Sequence, residues 1–153
     1  MTPSAQGSPI AGRLGLADRV FAGPRSRRLL AKVEAGLERV GRNLEAELTP
    51  ADTLTNATSR YLFDAGGKRV RPMLALLTAH LGEGTTDDVI DAATALELTH
   101  LGSLYHDDVM DEADRRRGVP SAHSVWGNSV AILTGDLLFS RATPADGQAR
   151  RAC

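Results

Sequence analysis

Residues His100 to Gly118, HLGSLYHDDVMDEADRRRG, place the carboxylates of Asp107, Asp108 and Asp111 shortly before three consecutive arginines. An α-helix turns by about 100° per residue, so His100, Asp107 and Asp111 fall within an arc of roughly 40° on one face. Like charges four residues apart repel each other by a few tenths of a kcal/mol, and a bound divalent cation would reverse the sign of that interaction. This face therefore predicts a metal site. The leucines upstream predict that the rest of the helix is buried: Leu96, Leu98, Leu101 and Leu104.

The types of ligand indicate Mg²⁺. Carboxylate oxygens without cysteine suit Mg²⁺, Mn²⁺ or Ca²⁺, and Mg²⁺ typically completes its coordination with water and substrate phosphates. Arg115 to Arg117 supply guanidinium groups, which bind phosphate oxygens in pairs. An EF-hand is disfavoured because its D-x-D-x-D-G ladder is absent. These residues alone leave one alternative open, a solvated acidic helix end followed by a basic loop.

Three motifs in order resemble those of the trans-isoprenyl diphosphate synthases, the polyprenyl synthetase family. DDVMD followed by RRG resembles the first aspartate-rich motif, Gly66–Pro72 resembles GGKRxRP, and Gly127–Asp136 resembles GNxxAxLxGD. The resemblance covers about residues 28–142. It implies an all-α, antiparallel helical bundle, the N-terminal part of the isoprenoid synthase fold. It also implies Mg²⁺-dependent, head-to-tail condensation of isopentenyl diphosphate with an allylic prenyl diphosphate.

The resemblance assigns roles to the acidic end of the helix. Asp107 and Asp111 match the metal ligands that hold Mg²⁺ on the allylic diphosphate. Asp108 points further round the helix, so we expect a secondary ligand or a group that supports the ligands. All three aspartates are assigned to the catalytic set. Arg116 matches the residue that holds the allylic diphosphate.

The second substrate pocket is also assigned by the resemblance. Lys68, Arg71, His100 and Arg117 match the residues that bind isopentenyl diphosphate. Without the resemblance, Lys68 and Arg71 would be a positively charged turn between helices. A lone histidine on an apolar helix is more often a buried, hydrogen-bonded residue, but the alignment of His100 with Asp107 favours binding.

The small residues one turn before the metal ligands predict a long-chain product. Gly102 and Ser103 precede Asp107 on the helix, where short-chain members of the family tend to carry bulky aromatic residues. Small side chains there would leave room for the growing hydrocarbon. The alternative is that Ser103 is small only to let a neighbouring helix approach.

Composition excludes several other classes of function. The net charge of −1 gives no general attraction to nucleic acid or to an anionic membrane. The single cysteine, Cys153, excludes an intrachain disulfide. No apolar run approaches the roughly 20 residues of a membrane span, and the N-terminus lacks the pattern of a signal peptide. A cytoplasmic protein is therefore expected.

Apolar periodicity divides residues 25–142, which form a partial isoprenoid synthase domain, into helices joined by short connections, without a sheet. A flexible tail is predicted for residues 1–24 and a tail foreign to the family for residues 143–153. The predicted helices run from about Ser26 to Leu48, Ala51 to Asp64, Met73 to Leu81, Asp87 to Asp111 and Ser129 to Ala142, with a short helical turn around His123. Thr49 is predicted to cap the second helix at Pro50, Thr86 or Asp87 the fourth, and Leu54, Tyr61 and Leu62 are predicted to face inward.

The final tail changes what we expect of the chain itself. Apolar periodicity stops at Ala142, and the second aspartate-rich motif of the family is missing, so we expect a truncated or frameshifted, inactive fragment. Two alternatives stay open. One is a non-catalytic regulatory subunit or truncated gene product. The other is a class I terpene cyclase, which would not need Lys68, Arg71 and His100. Full-length members are expected to form homodimers or hetero-oligomers, with peripheral membrane association through the product.

Overall fold

The central helix of the fold is α4 (Asp87–Met110), which packs against helices that come both before and after it in the chain. The computed structural model describes residues 23–49 and 52–143. Their architecture confirms the predicted all-α bundle. In chain order the elements are α1 (Pro24–Glu47), α2 (Thr53–Asp64), α3 (Val70–Ala79), α4, β1 (Arg115–Arg116), β2 (Val119–Pro120), α5 (Ala122–Trp126) and α6 (Asn128–Ala142). Except for Gly23, Pro24 and Thr143, the two predicted tails lie outside the described residues.

The apolar stripe of α1 is buried as its spacing predicts. Pro24 occupies the first turn, where its missing N–H leaves no hydrogen bond unmade. Residues three and four apart then line one face against α3 and α4, since those positions stack on one side of a helix. The buried side chains of this stripe are Leu30, Val33, Leu37, Val40 and Leu44.

The start of α2 differs from the prediction. Asp52, not Thr49, is the N-cap residue, and its Oδ2 accepts a hydrogen bond from the backbone N–H of Thr55 at 2.8 Å. Thr49 instead donates its hydroxyl proton to the carbonyl of Glu45 at 2.6 Å. The prediction for Leu54 was wrong as well, because this side chain is 54% exposed. The buried side of the helix begins only at Thr58.

The start of α3 also lies earlier than predicted. The helix begins at Val70 and ends at Ala79, with Pro72 inside its first turn. Proline is tolerated there because the first backbone N–H groups of a helix have no partner within the helix. Arg69 is the N-cap residue and has a left-handed backbone, with φ 48° and ψ 41°.

The long helix α4 begins where the sequence predicts, with Thr86 as its N-cap residue. The Thr86 hydroxyl accepts a hydrogen bond from the N–H of Val89 at 3.3 Å. Leu98 and Leu101 are buried, but the prediction for Leu96 was wrong, since it is 43% exposed. Leu96 and Leu98 lie about 200° apart on a helix, so a neighbour that covers one leaves the other outside.

A two-residue hairpin contradicts the prediction of no strand. Strands β1 and β2 pair antiparallel, with Arg115 opposite Pro120 and Arg116 opposite Val119. The two residues between them, Arg117 and Gly118, both have positive φ, at 52° and 84°. That combination is typical of the turn that best fits the twist of a hairpin. Strands of two residues are too short to show an alternating pattern in the sequence.

Helices α4 and α6 approach each other through two glycines. A methyl group on Gly102 would lie 3.1 Å from the carbonyl oxygen of Gly135, and one on Gly135 would clash with the imidazole of His106. Both glycines are buried. The close approach of these backbones therefore requires the absence of a side chain at both positions.

No helix within residues 23–49 and 52–143 is both long enough and apolar enough to cross a membrane.

We predict that Gly135→Ala lowers the free energy of unfolding by about 2 kcal/mol, because overpacking forces His106 or α6 to move. In an uncrowded helix interior the same change would stabilise by about 1 kcal/mol. Urea denaturation of the two proteins measures the difference. Ser140→Ala, at an exposed position of the same helix, is the control and should change little. Equal or greater stability of Gly135→Ala would show that the helices can separate at no cost.

Candidate functional site

The carboxylates of Asp107 and Asp111 lie one turn apart at the end of α4. The backbone N–H of Asp111 donates to the carbonyl of Asp107 at 2.8 Å, so the last turn is intact. Asp107 is half-buried and Asp111 is exposed. Among the described residues, neither carboxylate forms an ion pair with a lysine or an arginine. Both are therefore available to a cation from outside the chain.

Asp108 behaves differently from its two neighbours. It is fully buried, and its Oδ1 accepts a hydrogen bond from Nε of Arg116 at 2.6 Å. Its second oxygen, Oδ2, is buried without a hydrogen-bond partner. The residue expected to hold the allylic diphosphate thus lies against the aspartate expected to support the ligands. This pair ties the hairpin to α4.

Arg117 is held by both its backbone and its guanidinium group. It occupies the first position of the hairpin turn, with a left-handed φ of 52°. Its Nη1 donates to the carbonyl of Leu62, at the end of α2, at 2.6 Å. A methyl group on Gly67 would lie 3.0 Å from this guanidinium group. Gly67 therefore leaves the space through which Arg117 reaches α2.

The turn between α2 and α3 presents a group of basic residues. Lys68 and Arg71 are exposed. Between them, the guanidinium group of Arg69 lies 4.8 Å from the centre of the Phe63 ring, a geometry typical of a cation–π contact. The left-handed backbone of Arg69 marks the start of α3, and the basic side chains on either side of it, Lys68 and Arg71, are exposed.

His100 lies between the acidic and the basic groups. It is half-buried, and burial lowers the pKa of its imidazole below 6.5; the charges of Arg71 and Arg117 add to this effect, and Asp107 opposes it. Arg71, Arg117 and Asp107 thus lie near enough to His100 to act on its charge. At neutral pH the imidazole is therefore uncharged.

Two buried residues of α4 were missed by sequence reasoning. Glu97 is only 4% exposed, three residues before His100. The Tyr105 hydroxyl donates a hydrogen bond to the carbonyl of Thr58 and accepts one from the backbone N–H of Leu62 at 3.4 Å. These two bonds tie α4 to α2. Burial raises the pKa of Tyr105 far above its ordinary value. Glu97 occupies an apolar position of the helical repeat, and an acidic residue there could have indicated a buried carboxylate.

The two residues assigned to product length lie in different surroundings. Gly102 faces α6, where the carbonyl of Gly135 and the ring of Phe139 leave no room for a side chain. That contact explains why residue 102 is a glycine, without any need for a channel that holds the growing hydrocarbon. Ser103 is half-buried, and its hydroxyl donates to the carbonyl of His100 at 2.9 Å. A role in product length stays a prediction for both residues.

The donor set fits Mg²⁺ bound together with a diphosphate. Within residues 23–49 and 52–143, no three His, Cys, Asp or Glu side chains converge closely enough to hold a metal ion by themselves. Mg²⁺ typically takes one or two carboxylates and completes its shell with water and substrate phosphates. Asp107 and Asp111 supply two carboxylates without an arginine partner.

Comparison with known proteins agrees with this geometry. The family model described as polyprenyl synthetase matches residues 52–145. Nonaprenyl diphosphate synthase of Mycobacterium tuberculosis is 45% identical over 135 residues, which cover 88% of this chain and 38% of that protein. The chain thus spans well under half the length of this relative.

Two solved structures share the fold. The polyprenyl synthase of Caulobacter crescentus CB15, complexed with calcium and isoprenyl diphosphate, has a TM-score of 0.71 at 36% identity, over 76% of this chain and 35% of that one. The geranylgeranyl pyrophosphate synthase of Corynebacterium glutamicum, also with calcium and isoprenyl diphosphate, has a TM-score of 0.65 at 44% identity, over 80% and 36% of the chains.

We predict that Arg116→Gln lowers the free energy of unfolding at pH 7 by about 3 kcal/mol, because it leaves the buried carboxylate of Asp108 unpaired. Urea denaturation measures the loss. The neighbouring Arg115 is exposed, so Arg115→Gln should stay within about 0.5 kcal/mol of the parent. Adding Asp108→Asn to Arg116→Gln should restore part of the stability. No recovery would mean that Arg116 stabilises the fold by other contacts.

We also predict a pH-dependent contribution of His100 to stability. Its pKa is lowered in the folded state, so its contribution is present above about pH 6.5, the unfolded value, and is lost as the pH falls through the folded pKa. The difference in unfolding free energy between the parent and His100→Gln should therefore shrink from pH 8 to pH 5. Glu97 remains in both proteins, so its titration largely cancels. Parallel curves would contradict a lowered pKa.

Proposed function

Because this chain belongs to the polyprenyl synthetase family, we propose that it forms the metal- and diphosphate-binding part of a trans-prenyltransferase. The reaction joins isopentenyl diphosphate head to tail to an allylic prenyl diphosphate. The observation that carries the proposal is the hairpin, whose Arg116 pairs with Asp108 beside Asp107 and whose Arg117 reaches the end of α2 next to Gly67. Lys68 and Arg71 follow Gly67 in the chain. An acidic group and a basic group joined in this way can both act on a diphosphate bound with its metal.

The difficult step of the reaction is charge separation. The allylic C–O bond breaks, and its electron pair leaves with the pyrophosphate; the alkene of isopentenyl diphosphate then attacks the allylic carbon, and a proton is lost. Positive groups fixed where negative charge develops lower such a barrier. On the allylic side, Arg116 would contribute this charge. Asp107 and Asp111 would hold the Mg²⁺ of this diphosphate, and Asp108 would orient Arg116. When bound, Mg²⁺ supplies further positive charge to the leaving group.

Isopentenyl diphosphate would bind to the neighbouring basic side chains. Lys68 and Arg71 are exposed and can fold over its phosphates, whereas Arg117 is held in place by Leu62. The uncharged imidazole of His100 can donate one hydrogen bond to a phosphate oxygen. Its neutrality matters, because a second proton there would add repulsion among the arginines. These four side chains would fix the alkene beside the ionising carbon.

The alternatives account for fewer of these features. A terpene cyclase binds no isopentenyl diphosphate and so gives no reason for the group formed by Arg71, His100 and Arg117. A non-catalytic subunit is the other alternative, and an assay of condensation separates it from an enzyme. The 153 residues match only 38% of the length of the M. tuberculosis relative, and we propose that by themselves they bind diphosphates without condensing them.

We predict that completing the chain gives an Asp107-dependent prenyltransferase. Residues 1–142 would be joined to the remaining part of the M. tuberculosis nonaprenyl diphosphate synthase and assayed with labelled isopentenyl diphosphate, an allylic diphosphate and Mg²⁺. Asp107→Asn should lower kcat by about a thousandfold, which corresponds to about 4 kcal/mol of transition-state stabilisation.

Separate variants test the two substrate pockets. Lys68→Ala and Arg71→Ala should chiefly raise the KM for isopentenyl diphosphate, and Arg116→Ala the KM for the allylic substrate. Glu45→Gln, on the exposed side of α1, is the control and should behave like the parent. An active fusion with unchanged kcat in Asp107→Asn at saturating Mg²⁺ would refute the assignment of the ligands. Condensation by the isolated 153-residue chain would refute the proposal that it binds diphosphates without condensing them.

We further propose a long-chain product, and predict that Ser103→Phe shortens it. Ser103 lies one turn before Asp107, and a growing hydrocarbon that hangs from the diphosphate would pass this position. A phenyl ring there would fill space that further isoprene units need. Chromatography of the products of the fusion and its variant measures their length. Ser103→Ala is the control. An unchanged distribution of product lengths from an active Ser103→Phe enzyme would show that other residues limit the length of the product.

A further inference from the structure

The first turns of α1 form a basic surface that the proposed reaction does not use. Arg25, Arg27, Arg28 and Lys32 are all exposed, and no aspartate or glutamate occurs between Pro24 and Lys32. Among the described residues, none of these four side chains forms an ion pair with a carboxylate. The net charge of −1 for the whole chain therefore hides a local excess of positive charge at this end of the bundle.

Three of these cations face a groove that α1 forms with the end of α3. Residues 25, 28 and 32 are three and four positions apart, so they lie on one side of α1. Together with His80 they line a groove of about 320 Å³. Among the described residues that line it, none is acidic. Glu34, the next acidic residue of α1, lies about 180° around the helix from Arg25.

Apolar side chains lie directly beside these cations. Leu29 and Leu77 line the same groove, and so does Leu81, which follows α3 and is 91% exposed. Glu83, the acidic residue closest to Leu81 in the sequence, is exposed but is not part of the groove. The volume of the groove is at the lower end of those that small ligands fill. It therefore suits a phosphate headgroup rather than a whole lipid molecule.

We propose that Arg25, Arg28, Lys32 and Leu81 form a surface that docks on a bilayer containing anionic lipids. The cations would bind the lipid phosphates, and Leu81 would enter the boundary between the headgroups and the acyl chains. Nucleic acids also carry phosphates, but they offer no apolar phase for an exposed leucine. A bilayer provides negative charge and an apolar phase side by side. This inference does not depend on the proposed reaction.

The first test measures binding of the full 153-residue chain to vesicles by sedimentation. The chain should bind equimolar phosphatidylcholine–phosphatidylglycerol vesicles and bind pure phosphatidylcholine vesicles far more weakly. Each basic residue near an anionic surface contributes about a fivefold factor in affinity at low salt. The triple change Arg25→Gln, Arg28→Gln and Lys32→Gln should therefore weaken binding about a hundredfold. Salt should weaken binding by the parent, because it screens exposed charges.

A matched control removes the same number of positive charges from another surface. Lys68→Gln, Arg71→Gln and Arg115→Gln change three exposed side chains near the candidate site, and together they should weaken vesicle binding less than tenfold. Equal losses in the two triple variants would overturn the proposal. So would equal binding of the parent to neutral and anionic vesicles, or no binding to either. If circular dichroism shows that the first triple variant is unfolded, Arg28→Gln alone, with an expected fivefold loss, replaces it.

The second test locates Leu81 at the bilayer by fluorescence. The emission of Leu81→Trp, after subtraction of the parent spectrum that Trp126 provides, should shift to shorter wavelengths when the anionic vesicles are added. Leu54→Trp is the control, because Leu54 is also exposed (54%) but lies at the start of α2, and its emission should not shift. An unshifted Leu81→Trp spectrum from vesicle-bound protein, or equal shifts at both positions, would overturn the proposal.

Discussion

The structure depends on a single constraint, that α4 is packed on several sides and yet carries the charged groups of the site. A buried helix must hold its ionisable residues at an end or give them partners, because an unpaired charge in the interior is costly. α4 does both. Asp107 and Asp111 lie at its end, where solvent reaches them, while Asp108 is buried and pairs with Arg116. This pair ties the hairpin to α4.

Much of the fold could be predicted because it follows from local periodicity. The stripe of α1 and the Thr86 cap of α4 depend only on neighbours in the sequence, and both were predicted. Leu54 and Leu96 were placed wrongly because an apolar residue shows that a helix has a buried side, not where that side ends. The start of α2 was missed because two capping residues, Thr49 and Asp52, compete within four positions.

The site was predictable in its residues and less so in its contacts. The motifs place Arg71 and Arg117 near enough to His100 to lower the pKa of its imidazole. Spacing on a helix wheel separates Asp108 from Asp107 by about 100°, but only the packing of the hairpin decides that Asp108 meets Arg116. The burial of Glu97 was missed for the same reason, since it depends on helices that are distant in the sequence. Long-range pairing of charges is a property of the tertiary structure.

The left-handed backbones of Arg69 and Arg117 have a consequence for the evolution of this protein in the laboratory. A residue with a side chain prefers not to adopt φ near 50°, at a cost of about 1 kcal/mol, which glycine avoids. Selection for thermostability alone would therefore favour glycine at Arg117 wherever this gain exceeds the loss of its hydrogen bond to Leu62, and would erase a basic group of the diphosphate pocket. A library screened for heat resistance should be screened for diphosphate affinity in the same round, or the selected variants will be stable proteins that no longer bind a diphosphate.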